Sequence, residues 1–468
     1  MGNKSSSPEI YNESLKLLST EERLMIKKIY TEICGNNKDG FSESDLVNYG
    51  KQSVTECLLR HLFFFMKSLI QYEPGQHVND LLVNDEEFLV SLATIFKGVA
   101  LDQVLLMTYL CVGEEADSVK CSQLRELIEN LLVSYIKASN KKDTALSSWQ
   151  FRPPELTNNF CEAVLWDLVS KDNDKVNLVR KNFPWNSKHD TAALEQWLFQ
   201  CPVLLSLFKE VFHALFPISV DNVLHNAPLV PVAKDAPWNK IRTLLDLPAV
   251  LFLNQAIPSE LRSKWHFLYH THSHGESFST MMTKILNRGP SILVVEDTEG
   301  HIFGGFASQS WTLNSQFMGS ASCFLFQLSP VMNLYQPTGY NENYMYLNQG
   351  QNTMPNGLGM GGQLEYFGLW LDSEFGKGHS KAEPRCTTYN SPQLSKHETF
   401  EIKTLEIWSV GPELVQEQPE VTPGSILDKD VEAKAMLTML NKGPVSEGLR
   451  EEDVTGDSPE DHDLPPLS

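Results

Sequence analysis

The stretch PSILVVEDTEGHIFGGFAS, residues 290–308, holds two short apolar runs on either side of Asp-Thr-Glu-Gly. Runs rich in Ile, Val and Phe, bounded by turn residues, predict two strands around a tight turn at Asp297–Gly300. Further runs follow it. SCFLFQLSP (322–330) and EYFGLWLD (365–372) have the length and composition of buried strands. FEIKTLEIWSV (400–410) alternates until Thr404 and then slips register, which predicts a β-bulge near Leu405. Helical LPAVLFLNQAIPSELRSKW (247–265) precedes these runs. The expected result is an antiparallel sheet with flanking helices.

Upstream, the period changes from two to about 3.6. LSTEERLMIKKIYTEI (18–33) has a cap at Ser19 or Thr20 and acids in its first turn. Asn84 and Glu87 make a capping box for the next clear helix, which ends at Gly98. Gly50 stands where the intervening helix breaks. The predicted organisation is an acylatable flexible N-terminus (1–9), a helical EF-hand-like domain (10–138), a linker (139–154), a second helical segment (155–217) and a linker (218–239). The sheet-bearing domain (240–412) and an acidic tail (413–468) follow. The fold class is α+β.

The chain has 468 residues and a formal net charge of −21. That charge repels nucleic acid, and no basic stripe offsets it. No apolar run reaches the roughly 18 residues of a membrane span, and residues 1–20 hold no secretory core segment. The eight cysteines are scattered without a C-x-x-C pair, which predicts a reducing compartment. MGNKSS fits M-G-x-x-x-[ST], with Gly2 as the acceptor of N-myristate and Ser6 as the recognition residue. One myristoyl chain binds membranes only marginally. Because the nearby lysines are mixed with acids, a protein partner is the expected second attachment.

About half of the net charge follows Pro412. Within it, residues 428–441 read as a short amphipathic helix whose face carries Val431, Ala435, Met436, Met439 and Leu440, the pattern of a groove-binding peptide.

Chemistry-bearing motifs are sparse. Gly357-x-Gly359-x-x-Gly362 is formally a dinucleotide fingerprint, but the run that follows it predicts a strand and not a helix, so a glycine-rich loop is expected. His270, His272 and His274 alternate, as zinc ligands on a strand do, without a clear fourth ligand; no metal site is expected. GNNKDGFSESDL (35–46) resembles a calcium loop. Asn37, Asp39 and Glu43 fall at ligand positions in one alignment, and Asp45 at the last position in another. In both, the closing bidentate Glu is missing, which predicts weak ion binding at most. Cys386 is a nucleophile only by supposition, since a chain with 13 histidines always offers a neighbour.

Six pieces in order carry a resemblance: IPSELRSKWHFLYHTHSHGESF, PSILVVEDTEGHIFGGFAS with Trp311, SCFLFQLSP, PTGYNENYMYLN, GLGMGGQLEYFGLWLD and CTTYNSPQLSKHETFEIKTLEIWSV. Residues 240–412 resemble the TLDc family. The resemblance implies an antiparallel β-sandwich core flanked by helices, no catalytic centre, no cofactor, and links to oxidative-stress resistance and to the vacuolar proton pump (V-ATPase). The HTHSHG segment matches only at His274–Gly275. Gly275, Gly304, Gly305, Gly361 and Gly362 read as positions of tight turning. Phe324, Phe326, Leu369, Trp370 and Trp408 read as sheet packing. A helical N-terminal half with an acylatable Gly2 is similar to a lysosomal branch of the family associated with mTOR signalling. The expected function is thus a membrane-recruited, non-enzymatic interaction protein on the cytosolic face of lysosomes, with mTOR pathway components and the V-ATPase as partners. A Cys- or metal-dependent enzyme and a weak calcium switch are the alternatives.

Overall fold

The structure is a computed structural model. It describes residues 7–37, 39–70, 82–139, 145–170, 183–218, 228–382 and 384–413. Helices come first: α1 (Ser7–Leu17), α2 (Thr20–Cys34), α3 (Glu43–Gly50), α4 (Glu56–Ser68), α5 (Asp85–Lys97), α6 (Ala100–Val112), α7 (Cys121–Ser139), α8 (Thr157–Val169), α9 (Thr191–Phe199) and α10 (Pro202–Leu215). Their ends follow the sequence signals. Ser19 and Glu22 close a reciprocal capping box on α2, Asn84 and Glu87 do so on α5, and α3 stops at Gly50. One pairing was not legible: β1 (Ser118–Lys120) runs antiparallel to β2 (Lys188–Asp190) and ties the start of α7 to that of α9.

The two helical stretches share one core. Phe216 packs at 5.7 Å on Phe88 and stacks at 6.3 Å with Tyr49, whose hydroxyl donates to the Leu215 carbonyl. Trp197 Nε1 donates to the Val164 carbonyl, which locks α9 to α8. Among the described residues no single helix is long and apolar enough to cross a membrane.

The second half contains α11 (Leu247–Ala256), α12 (Thr271–His274) and α13 (Phe278–Ile285). Its strands are β3 (Val232–Lys234), β4 (Lys264–His270), β5 (Ser291–Asp297), β6 (Ile302–Ala307), β7 (Asn314–Met318), β8 (Phe324–Ser329), β9 (Asn333–Tyr335), β10 (Met345–Asn348), β11 (Gly357–Gln363), β12 (Tyr366–Asp372), β13 (Lys377–His379) and β14 (Thr399–Val410). The order β7-β10-β11-β12-β13-β14-β5-β6-β8-β9 holds, with β4 on the other edge of β14 and β3 parallel beside it. β14 joins two layers. Its first residues pair with β13, whereas Ile402–Ser409 pair with β5 and Glu406–Val410 with β4. Register shifts fall between Ile402 and Thr404 on the β5 side and between Ile407 and Trp408 on the β4 side, flanking the expected bulge at Leu405.

Between the layers lies a core that includes Leu293, Val295, Phe303 and Leu325 from one sheet and Leu358, Met360, Leu369 and Leu371 from the other. The opposite face of the first sheet, with Ile292, Val294, Phe306, Phe324, Phe326 and Trp408, is buried in the same core as the helical half. β5 and β6 are therefore covered on both sides, and this is why SILVVED and IFGGFA are unbroken apolar runs instead of alternating ones. The seam is aromatic. Trp149 sits 4.9 Å from Trp408, 5.8 Å from Trp265 and 6.0 Å from Trp238. Its indole donates to the Pro231 carbonyl. Asp246, fully buried, caps α11 at Ala249 and also accepts from the Leu156 amide that opens α8. Asn159 reaches the Leu328 carbonyl of β8.

The glycine-rich loop expected at 357–363 is a strand instead, β11, buried along Gly357–Gly362. Its glycines leave room for facing rings: a Cβ on Gly359 would lie 2.5 Å from the Phe367 ring, and one on Gly357 2.4 Å from Trp370. Gly304 and Gly305 are likewise strand residues and not turning points. A Cβ on Gly304 would meet the Leu293 carbonyl oxygen at 1.9 Å, and one on Gly305 the Met360 sulfur at 2.4 Å. Gly275, Gly361 and Gly362 do turn the chain, at φ of 81°, 73° and 81°.

Candidate functional site

A groove of about 700 Å³ lies on the outer face of β12, β13 and β14. Trp370 pairs with His379, and His379 with Thr399. Two residues along, Lys377 pairs with Glu401, and the β12–β13 register, carried one residue past Leu371–Gly378, sets Lys377 opposite Asp372. Side chains two residues apart on a strand share a face. The floor therefore carries two cross-strand rows, Trp370–His379–Thr399 and Asp372–Lys377–Glu401. The Asp297–Gly300 turn forms a wall. Asp297 is 1% exposed; its carboxylate accepts from the Glu299 and His301 amides at 2.9 and 2.8 Å and from the Ser395 hydroxyl at 2.6 Å.

The electrostatics are lopsided. Asp297, Glu299, Asp372 and Glu401 line the groove against Lys377, with Glu299 paired to Lys396 outside the lining. His379 stacks on Trp370 at 5.8 Å, and its Nε2 is buried without a hydrogen-bond partner among the described residues. Burial pulls the His379 pKa down to about 4, with Lys381 adding to the fall and Asp372 opposing it. The ring is neutral at pH 7. Ser395 does not form a nucleophile pair: its hydroxyl donates to Asp297, and the His301 ring approaches the same carboxylate at 3.6 Å. An acid placed between hydroxyl and imidazole is the wrong order for activation.

The histidine cluster is structural. β4 ends at His270, and α12 turns the chain so that the three rings do not line one strand face. His270 Nδ1 accepts from the His272 amide, His274 Nδ1 accepts from the His270 amide, and His270 Nε2 faces the Arg242 carbonyl at 3.2 Å. Cys386 is buried with a pKa raised by desolvation. Cβ atoms on Gly361 or Gly368 would come within 2.8 or 2.9 Å of its sulfur, the setting of an inert packed thiol.

The calcium-like loop connects α2 to α3, and Phe41 bridges antiparallel to Val83 before α5. Asp45 is committed to the cap of α3, accepting from the Ser42 amide and hydroxyl at 2.8 and 2.7 Å. Glu43 pairs with Arg60 at 2.8 Å, and Asn37 accepts from the Asp39 amide. Among the motif residues, Trp408 donates from Nε1 to fully buried Glu406, which also receives Thr243 and the Leu244 amide. Gly2, Ser6 and the 428–441 segment lie outside the described residues.

The sequence reading singled out Trp370 but missed Asp372, Lys377 and Glu401, and it did not place His379 beside them. Their signal is the period-two spacing in W-x-D, K-x-H and T-x-E, which converges only once three strands are placed in register.

Residues 239–411 match the family described as TLDc domain. The chain is 39% identical to MTOR-associated protein MEAK7 of Danio rerio over 89% of this chain and 90% of the relative. It is 38% identical to MTOR-associated protein MEAK7 of Homo sapiens over 79% and 80%. Nuclear receptor coactivator 7 of Homo sapiens is similar only in part: 31% identity over 34% of this chain and 16% of that protein. The last likeness reports a shared module; the first two extend through the helical half.

Proposed function

Because this chain belongs to the family of TLDc-domain proteins that includes MTOR-associated protein MEAK7, we propose that it is a non-enzymatic regulatory protein of mTOR growth and nutrient signalling. In this reading myristate on Gly2 and a protein contact together hold it on the cytosolic face of lysosomes. The TLDc domain and residues 428–441 supply the contact, with the V-ATPase as the partner. The observation that carries the reading is the likeness to relatives named for mTOR association across nine-tenths of their length. The M-G-x-x-x-[ST] start supports the lipid part. Two weak attachments to one surface reinforce each other, because the second becomes intramolecular.

The test is Gly2→Ala in cells, followed by separation of membranes from cytosol. Most of the protein should move to the cytosol. Unchanged membrane association would reject the lipid-dependent mechanism.

A calcium-regulated switch is the second reading, favoured by the Phe41–Val83 bridge between consecutive helix–loop–helix units, an EF-hand-like arrangement. The commitment of Asp45 to Ser42 and of Glu43 to Arg60 weighs against it. Titration calorimetry at millimolar calcium decides: a saturable heat supports the switch, and none removes it.

A further inference from the structure

We propose that the groove over β12, β13 and β14 is a socket for an arginine side chain presented by a partner protein. This goes beyond the membrane reading and stands whether or not Gly2 is acylated. Three independent features converge. First, the groove is biased in charge: Asp372 and Glu401 face it against Lys377, while Asp297 is held by its own turn and Glu299 by Lys396. Second, Asp372 and Glu401 occupy one cross-strand row with a single strand between them. Strands two apart are separated by about 9.5 Å. A planar guanidinium with a carboxylate on either side bridges such a span, since its donors fan outward from both edges. Third, the adjoining row supplies the partly exposed His379 ring, backed by the buried Trp370, and a guanidinium plane packs favourably on a neutral imidazole face.

Lys377 stands between the two acids, yet no ion pair joins it to either among the described residues. It is exposed and free to swing aside. The socket is therefore partly self-screened, and an incoming arginine competes with a mobile lysine instead of breaking a formed bridge.

The experiment titrates the full chain with N-acetyl-arginine amide, following the His379 imidazole by NMR, with His379→Gln used to assign the signal. N-acetyl-citrulline amide, N-acetyl-lysine amide and free arginine are parallel arms. The arginine amide is expected to shift the signal saturably, the lysine amide to bind several-fold more weakly, and the uncharged citrulline amide to leave it unmoved. Asp372→Asn with Glu401→Gln should weaken arginine binding at least tenfold at an unchanged melting temperature. If that double variant fails to fold, Lys377→Ala decides: removal of the competing cation should strengthen binding several-fold. Citrulline acting like arginine overturns the proposal. So does undiminished binding in the folded double variant, or unchanged or weaker binding in Lys377→Ala. Free arginine has the same net charge as the capped form, its ammonium offsetting its carboxylate, so it should bind no more tightly. The reverse order would assign the socket to the free amino acid and overturn the docking role.

Discussion

At the scale of single residues, the decisive contrasts are between glycines that turn and glycines that make room. Gly300 turns at φ 82° with open space where a Cβ would go. Gly300→Ala should cost about 1 kcal/mol, the strain of a left-handed alanine. Gly304 has ordinary strand geometry, but a Cβ there collides with the Leu293 carbonyl. Gly304→Ala should cost about 3 kcal/mol or more, since backbone cannot step aside as a flexible side chain does. Urea unfolding of both variants checks the order; equal losses would contradict it. Histidines set a pH dependence. His379 and His270 are both pulled from 6.5 to about 4 by burial. Between those values the unfolded chain binds protons that the folded chain does not. Their stabilising contribution is complete above pH 6.5 and falls as pH drops towards 4. Buried Glu406 and Asp246, with raised pKa values, contribute with the opposite sign. His379→Gln leaves those acids in place, so its melting temperature should decline less between pH 7 and pH 5 than that of the parent chain. An identical decline would show that His379 does not titrate as a buried ring.

At the scale of elements, the helices were legible because their stop and start signals are local: Ser19 with Glu22, Asn84 with Glu87, Gly50. The hairpin of β5 and β6 was legible for the same reason. β11 was not. Its glycines carry no strand propensity, and the rings of Phe367 and Trp370 that justify them sit in a different element. The floor of the groove was hidden in the same way, because Asp372, Lys377 and Glu401 come together only through cross-strand register. Residues 145–154 read as a polar connection, yet Trp149 is the centre of the aromatic seam. Trp149→Ala should destabilise the chain by about 3–5 kcal/mol through the cavity it leaves. Denaturant unfolding followed by circular dichroism measures it; a loss under 1 kcal/mol would mean that the seam is not a continuous core.

At the scale of the whole molecule, the helical half closes the outer face of the first sheet, placing Phe306, Phe324, Phe326 and Trp408 inside a shared core. A fragment of residues 239–413 alone should expose that face, bind a hydrophobic dye and aggregate, whereas the full chain does neither. Equal dye binding would contradict the shared core. The opposite side of the sandwich, with the groove of β12 to β14, faces away from this seam and is open to a partner.

The central proposal is that myristate on Gly2 alone would hold the protein weakly, since one myristoyl chain supplies an association constant of only about 10⁴ M⁻¹, and that a protein contact completes the attachment. The most direct measurement is co-sedimentation of fully N-myristoylated full-length protein with protein-free phospholipid vesicles and with lysosomal membranes. Weak, easily washed binding to the vesicles and retention on the lysosomal membranes is the predicted result. Tight retention on vesicles that contain no other polypeptide would contradict it.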